Sequence, residues 1–119
     1  MSTPLYALKA EFFKTLGHPA RIRILELLVQ GEHSVGELMP EVGLEASHLS
    51  QQLGVLRRAG IVNARKQGNA VIYSLASSEI ADLMTLARQV LTGLLTDQMV
   101  LLKDLRANTR AVERTLPKA

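Results

Sequence analysis

The sequence predicts a mainly α chain of about five helices plus a two-stranded β-hairpin, and three observations carry that expectation. Apolar residues recur at helical spacing over most of the 119 residues. The period drops from about 3.6 to 2 only in the short runs "VNARKQ" and "AVIYSL", and these are joined by Gly68 and Asn69, residues suited to a tight turn. Between the helical runs stand glycines and prolines where helices should close and reopen. The expected organisation is one domain over residues 1–107, followed by a polar, flexible tail over 108–119.

Taken in order, "TPLYALKAEFFKTLG" reads as a first helix with Thr3 as cap, Pro4 in the first helical position, Leu5, Leu8, Phe12 and Leu16 on one face and Gly17 as stop. "HPARIRILELLVQG" reopens at Pro19 and carries Ile22, Ile24, Leu25, Leu28 and Val29, the pattern of a buried helix. "SVGELMPEVG" begins with Ser34 and Glu37 at capping-box spacing, and Pro40 should kink or shorten it. "GLEASHLSQQLGVLRRAG" places Leu49, Leu53 and Leu56 on one face and ends near Gly60. After the hairpin, a long amphipathic helix capped by Ser77 carries Ile80, Leu83, Ala87, Val90, Leu91, Leu94, Leu101 and Leu105 as an apolar stripe.

Composition narrows the function. The 47% hydrophobic content is that of a globular chain, and with two Tyr and two Phe its core must be aliphatic. Zero cysteines exclude disulfides, thiol nucleophiles and sulfur-based zinc sites. With neither a signal-peptide pattern nor a long apolar run, the expected location is cytoplasmic, away from membranes. No phosphate loop, carboxylate pair or nucleophile triad stands out, so no catalytic residue and no cofactor are expected. The net charge of +3 is unevenly spread, since residues 46–78 hold Arg57, Arg58, Arg65 and Lys66 and no acid at all. A local cationic stretch of this kind suits a polyanion.

A short helix, a glycine-containing link and a second helix form a helix-turn-helix, and a hairpin directly afterwards makes it winged. With the three leucines inward, Ser47, Gln51, Gly54 and Arg58 face outward, flanked by His48, Ser50 and Val55. Such side chains can bond base edges and phosphates without repelling them. The residues expected to meet double-stranded DNA are Ser47, His48, Ser50, Gln51, Gln52, Arg57 and Arg58 on the helix and Arg65, Lys66, Gly68 and Asn69 on the wing. Residues 44–59 should occupy the major groove and 62–75 form the wing. The wide apolar stripes of the terminal helices suggest a homodimer through Leu5, Leu8, Phe12, Leu83, Leu91 and Leu94, or packing of those helices on each other.

The stretches "LGHPARIRILELL", "SVGELMPEVGLEASHLSQQLGVLRRAGIV" and "KQGNAVIYSL" resemble, in order and spacing, the ArsR/SmtB family of bacterial winged-helix repressors, over roughly residues 5–95. That resemblance implies a homodimer held by the first and last helices, bound to an imperfect promoter palindrome and released by an inducer. It also implies where metal ligands would fall: one site on Ser34, Val35 and Gly36, another on Asp82, Met84, Leu95 and Gln98, of which only Asp82 can bind metal. No metal site is therefore expected. His18 reads as a helix-junction hydrogen bonder, His33 as a solvated link residue and His48 as a DNA contact. Three alternatives stay open: control by an unidentified small-molecule, metal or protein effector, an atypical histidine and carboxylate site for nickel or zinc, and a winged-helix module that docks proteins without binding DNA.

Overall fold

A computed structural model describes residues 2–115, with side chains as far as Asn108. In chain order it contains α1 (Leu5–Leu16), α2 (Pro19–Gln30), β1 (His33–Ser34), α3 (Val35–Val42), α4 (Ala46–Arg58), β2 (Val62–Gln67), β3 (Ala70–Leu75) and α5 (Ser78–Thr115). Contacts divide the chain into one compact unit ending at Met84 and a second, beginning at Thr85, made of the remainder of α5.

Each helix boundary has a local cause. Pro4 stands just outside α1 with extended backbone rather than in its first turn, and no side chain caps that end, so the expected Thr3 cap is absent. The Pro4 carbonyl instead accepts the N–H groups of Ala7 and Leu8. At the start of α2, His18 Nδ1 accepts the Ala20 N–H at 3.2 Å, which is the junction role expected of it. The capping box of α3 closes on both sides: Glu37 N–H donates to Ser34 Oγ at 3.2 Å and Ser34 N–H donates to Glu37 Oε1 at 3.0 Å. The Ser34 N–H first, then the His33 ring and the Ser34 hydroxyl, hold the Glu37 carboxyl below its ordinary value. Pro40 lies inside α3, which ends at Val42.

The end of α4 is a Schellman motif. Gly60 takes φ +75°, its N–H donates to Arg57 O at 3.0 Å, and Ile61 N–H donates to Leu56 O at 2.9 Å. Ile61 and Leu56 are both buried, completing the apolar contact that accompanies this motif. The chain then enters β2, and Ala76 N–H returns to Ile61 O at 3.0 Å where β3 ends.

The hairpin pairs Val62 with Leu75 through to Gln67 with Ala70, leaving Gly68 and Asn69 as a two-residue turn. Of these only Gly68 has positive φ, the sign pattern of a type II′ turn. The sheet is one strand wider than the expected hairpin, with order β1-β3-β2, because His33 and Ser34 pair antiparallel with Tyr73 and Ile72. That pairing corrects the reading of His33 as a solvated link residue. It is half-buried at the sheet edge, with Nδ1 3.5 Å from Glu37 Oε2.

The core is aliphatic, as composition requires, and centres on Ile24, Leu25, Leu38, Leu49, Leu53, Leu56, Ile61 and Val62. In α2 the buried side chains are Ile24, Leu25, Leu27 and Leu28, whereas Val29 is exposed. The helix α5 continues past the expected end at Ala107 as far as Thr115; residues 116–119 of the expected tail lie outside the described residues. Helix-favouring Ala111, Glu113 and Arg114 follow Ala107, and no proline intervenes before Pro117. Among the described residues no helix is long and apolar enough to cross a membrane.

Two stability outcomes follow from this packing. Leu53→Ala leaves a void under α4 and is expected to cost about 2–5 kcal/mol in urea unfolding, a large share of a small domain's stability. Gly60→Ala forces a β-carbon into left-handed backbone with open space around it, so its cost is conformational only, about 1–2 kcal/mol by the same measurement.

Candidate nucleic-acid interface

Between α3 and α4 the chain turns at Gly43, whose φ of +77° is reached with its N–H bonded to Met39 O at 2.9 Å. Three residues therefore suffice to reorient the second helix. Leu49, Leu53 and Leu56 are fully buried, and that stripe fixes which side of α4 is presented outward. Ser47, His48, Ser50, Gln51, Arg57 and Arg58 are all exposed. Arg57 and Arg58 occupy the last turn, where a cation also suits the negative end of the helix dipole.

Gln52 departs from expectation. It is half-buried and its Oε1 accepts from Arg21 Nε at 2.8 Å, so its amide is tied to the body of the protein. A signal existed in the sequence: at 100° per residue Gln52 lies only about 60° from Leu49, on the flank of the buried stripe. Gly54 lies against the Arg58 side chain. A β-carbon there would lie 3.1 Å from Arg58 Nη1, so the missing side chain makes room for the Arg58 guanidinium along the outer face.

On the wing, Lys66, Gly68 and Asn69 are exposed at or beside the tip. Arg65 is exposed but engaged: its Nη1 is 2.6 Å from Glu32 Oε2 and its Nη2 donates to Gln67 Oε1 at 3.1 Å. An anion approaching Arg65 must compete with Glu32, a pairing that the acid-free window of residues 46–78 concealed because Glu32 precedes β1. Among the described residues, no carboxylate stands within ion-pair distance of Arg57, Arg58 or Lys66.

The residues expected at a dimer contact fall into two sets. In the first unit Leu5 and Leu8 are exposed, whereas Phe12 and Leu83 are half-buried and line an open apolar hollow of about 450 Å³ with Ile61 and Ile80. In the second unit Leu91 and Leu94 are 57% and 54% exposed, and Leu86, Val90, Leu95 and Met99 are comparably open. Among the described residues, no three His, Cys, Asp or Glu side chains gather closely enough to hold a metal ion.

Comparison with known proteins agrees with this architecture. The sequence pattern described as "Bacterial regulatory protein, arsR family" matches residues 18–64, from the His18 cap to the second residue after Val62. The HTH-type transcriptional regulator Rv0081 of Mycobacterium tuberculosis is 65% identical over 111 residues, covering 92% of this chain and 97% of that protein. Its crystal structure superposes with a TM-score of 0.78 at 67% identity, over 82% of this chain and 99% of that one. The biofilm growth-associated repressor of Agrobacterium fabrum is 48% identical over 75 residues, 63% of this chain and 64% of its own length. The solution structure of the homodimeric winged helix-turn-helix DNA-binding domain of Mb0332 from Mycobacterium bovis superposes with a TM-score of 0.71 at 32% identity, over 80% of this chain and 91% of that one. By its helix-turn-helix, its wing and these relatives, the chain belongs to the ArsR family of bacterial winged helix-turn-helix regulators.

Proposed function

We propose that this protein is a sequence-specific DNA-binding repressor that acts as a homodimer on a palindromic promoter site. The observation that carries this reading is the outer face of α4, an exposed surface of hydroxyl, amide and imidazole groups ending in two arginines and free of acids. On that face Ser47, His48, Ser50 and Gln51 have the donors and acceptors that base edges in the major groove present. Arg57, Arg58 and Lys66 supply charge for phosphates, while the Gly68–Asn69 tip is narrow enough to follow the minor groove. Arg65 joins them by exchanging Glu32 for a phosphate.

The apolar surface supports a two-fold dimer. Leu5, Leu8, Leu91 and Leu94 are exposed in a single chain, and a second copy would bury them in a self-complementary contact. Two α4 helices related by that axis would meet half-sites about one helical turn of DNA apart. The names of the relatives, a repressor in one organism and a homodimeric DNA-binding domain in another, support the same reading.

Titration against DNA over a salt series tests the proposal. Replacing Arg57, Arg58 and Lys66 by Gln is expected to weaken binding to every duplex and to flatten the salt dependence by about 0.9 log units per lost phosphate contact. Gln51→Ala is expected to leave that slope unchanged and to remove about 1–3 kcal/mol of preference at one base position. A protein that ignored both sets of changes would be a docking module rather than a DNA reader. Leu91→Glu with Leu94→Glu should convert a dimer to a monomer in sedimentation velocity and abolish binding to the full palindrome.

A further inference from the structure

Arg21 is carried by α2, yet both of its hydrogen bonds leave that helix. Its Nε donates to Gln52 Oε1 in α4 at 2.8 Å, and its Nη1 donates to the backbone carbonyl of Thr15 in the last turn of α1 at 3.0 Å. Both bonds are partly buried and are made by one rigid, planar group. The Thr15 carbonyl belongs to the last turn of α1, where carbonyls have no partner within the helix, so an arginine there satisfies an otherwise open acceptor. Gln52 in turn is the one polar residue of the expected reading set that points into the body of the domain.

A flexible lysine could follow either acceptor alone. A guanidinium holds its donors in a fixed fork, so while both bonds persist the end of α1 and the middle of α4 are linked through one rigid group. The same α1 exposes Leu5 and Leu8, and its Phe12 lines the apolar hollow. We infer that Arg21 is a positioning residue for DNA reading: through Gln52 it sets the angle of α4 and couples that angle to α1, so that whatever seats or displaces α1 also aims or turns the reading face. This inference rests on the DNA-binding function proposed above. It assigns Gln52 to the brace instead of to a base.

The test is a double-mutant cycle on the full-length protein, comparing Arg21→Ala, Gln52→Ala and the double variant. The probes are a duplex that the wild type selects from a randomised pool and a scrambled duplex of the same length, titrated by fluorescence anisotropy. Each single change is expected to lower the ratio of selected to scrambled affinity about tenfold, and the double variant no further, because both remove one brace. Scrambled-duplex affinity, which reports charge on α4 and the wing, should stay within about twofold. Arg21→Lys, which keeps the charge and the fold but loses the fork, should fall on the same side as Arg21→Ala. A DNA-free reading comes from the Arg21 Nε–H cross-peak in NMR, which should shift in Gln52→Ala.

Losses that multiply in the double variant would overturn the inference by making Gln52 an independent base contact. An unchanged ratio in Arg21→Lys and Gln52→Ala would overturn it as well, whatever Arg21→Ala does to folding. A wild type that selects no duplex would remove the DNA-binding reading and this inference together; selection by the wild type with unaltered variants removes this inference alone.

Discussion

The burial of Leu49, Leu53 and Leu56 beneath α4 is the constraint on which the rest of the molecule depends. Each fully buried leucine is worth about 1.5–3 kcal/mol relative to exposure, so the stripe as a whole rivals the net stability of a small domain. A helix held along one stripe has its opposite stripe decided for it. The outward presentation of Ser47, Gln51 and Arg58 is therefore a consequence of packing on the other side of the same helix. Shifting the register forward by one residue would bring Ser50, Gly54 and Arg57 toward the core in place of the leucines, and the present outward face would be lost.

Packing sets the rotation of α4 about its axis, and polar contacts at its ends and flank set its direction. The Gly43 turn delivers the chain from α3, the Schellman motif at Gly60 hands it to β2, and Arg21 holds its middle through Gln52. The capping box at α3 adds a further fixed point, because Ser34 both closes that helix and pairs with Ile72 in the sheet. One residue thus connects the edge of the sheet that carries the wing to the first helix of the helix-turn-helix.

Electrostatics is arranged by location more than by amount. A net charge of +3 is small for a DNA partner, but the four cations of residues 46–78 lie on α4 and β2 while the acids lie elsewhere in sequence. Glu32 is the exception in space, because the link before β1 brings it against Arg65. Both partners are about half exposed, so solvent screens the pair and its worth to folding is small. Its consequence under the proposed DNA-binding function is that Arg65 would reach a phosphate only by exchange with Glu32, whereas Arg57, Arg58 and Lys66 have no carboxylate within ion-pair distance among the described residues.

Local chemistry alone determined most of what is recognisable in this protein. The spacing of leucines gave α4 and its exposed side, glycines at positions 43, 60 and 68 gave its turns, Ser34 with Glu37 gave the α3 cap, and the change of period gave the wing. These features depend on residues close in sequence, which is why they can be read without coordinates. Tertiary structure alone decided that His33 and Ser34 add a strand, that Glu32 occupies Arg65, and that Gln52 turns inward to an arginine thirty-one positions earlier. It also decided how far α5 runs, since no stop signal stands between Ala107 and Thr115 and helix continuation there is a balance of weak propensities. Each of these rests on a meeting between residues distant along the chain, or on a cooperative balance, and neither is encoded in the spacing of any single segment.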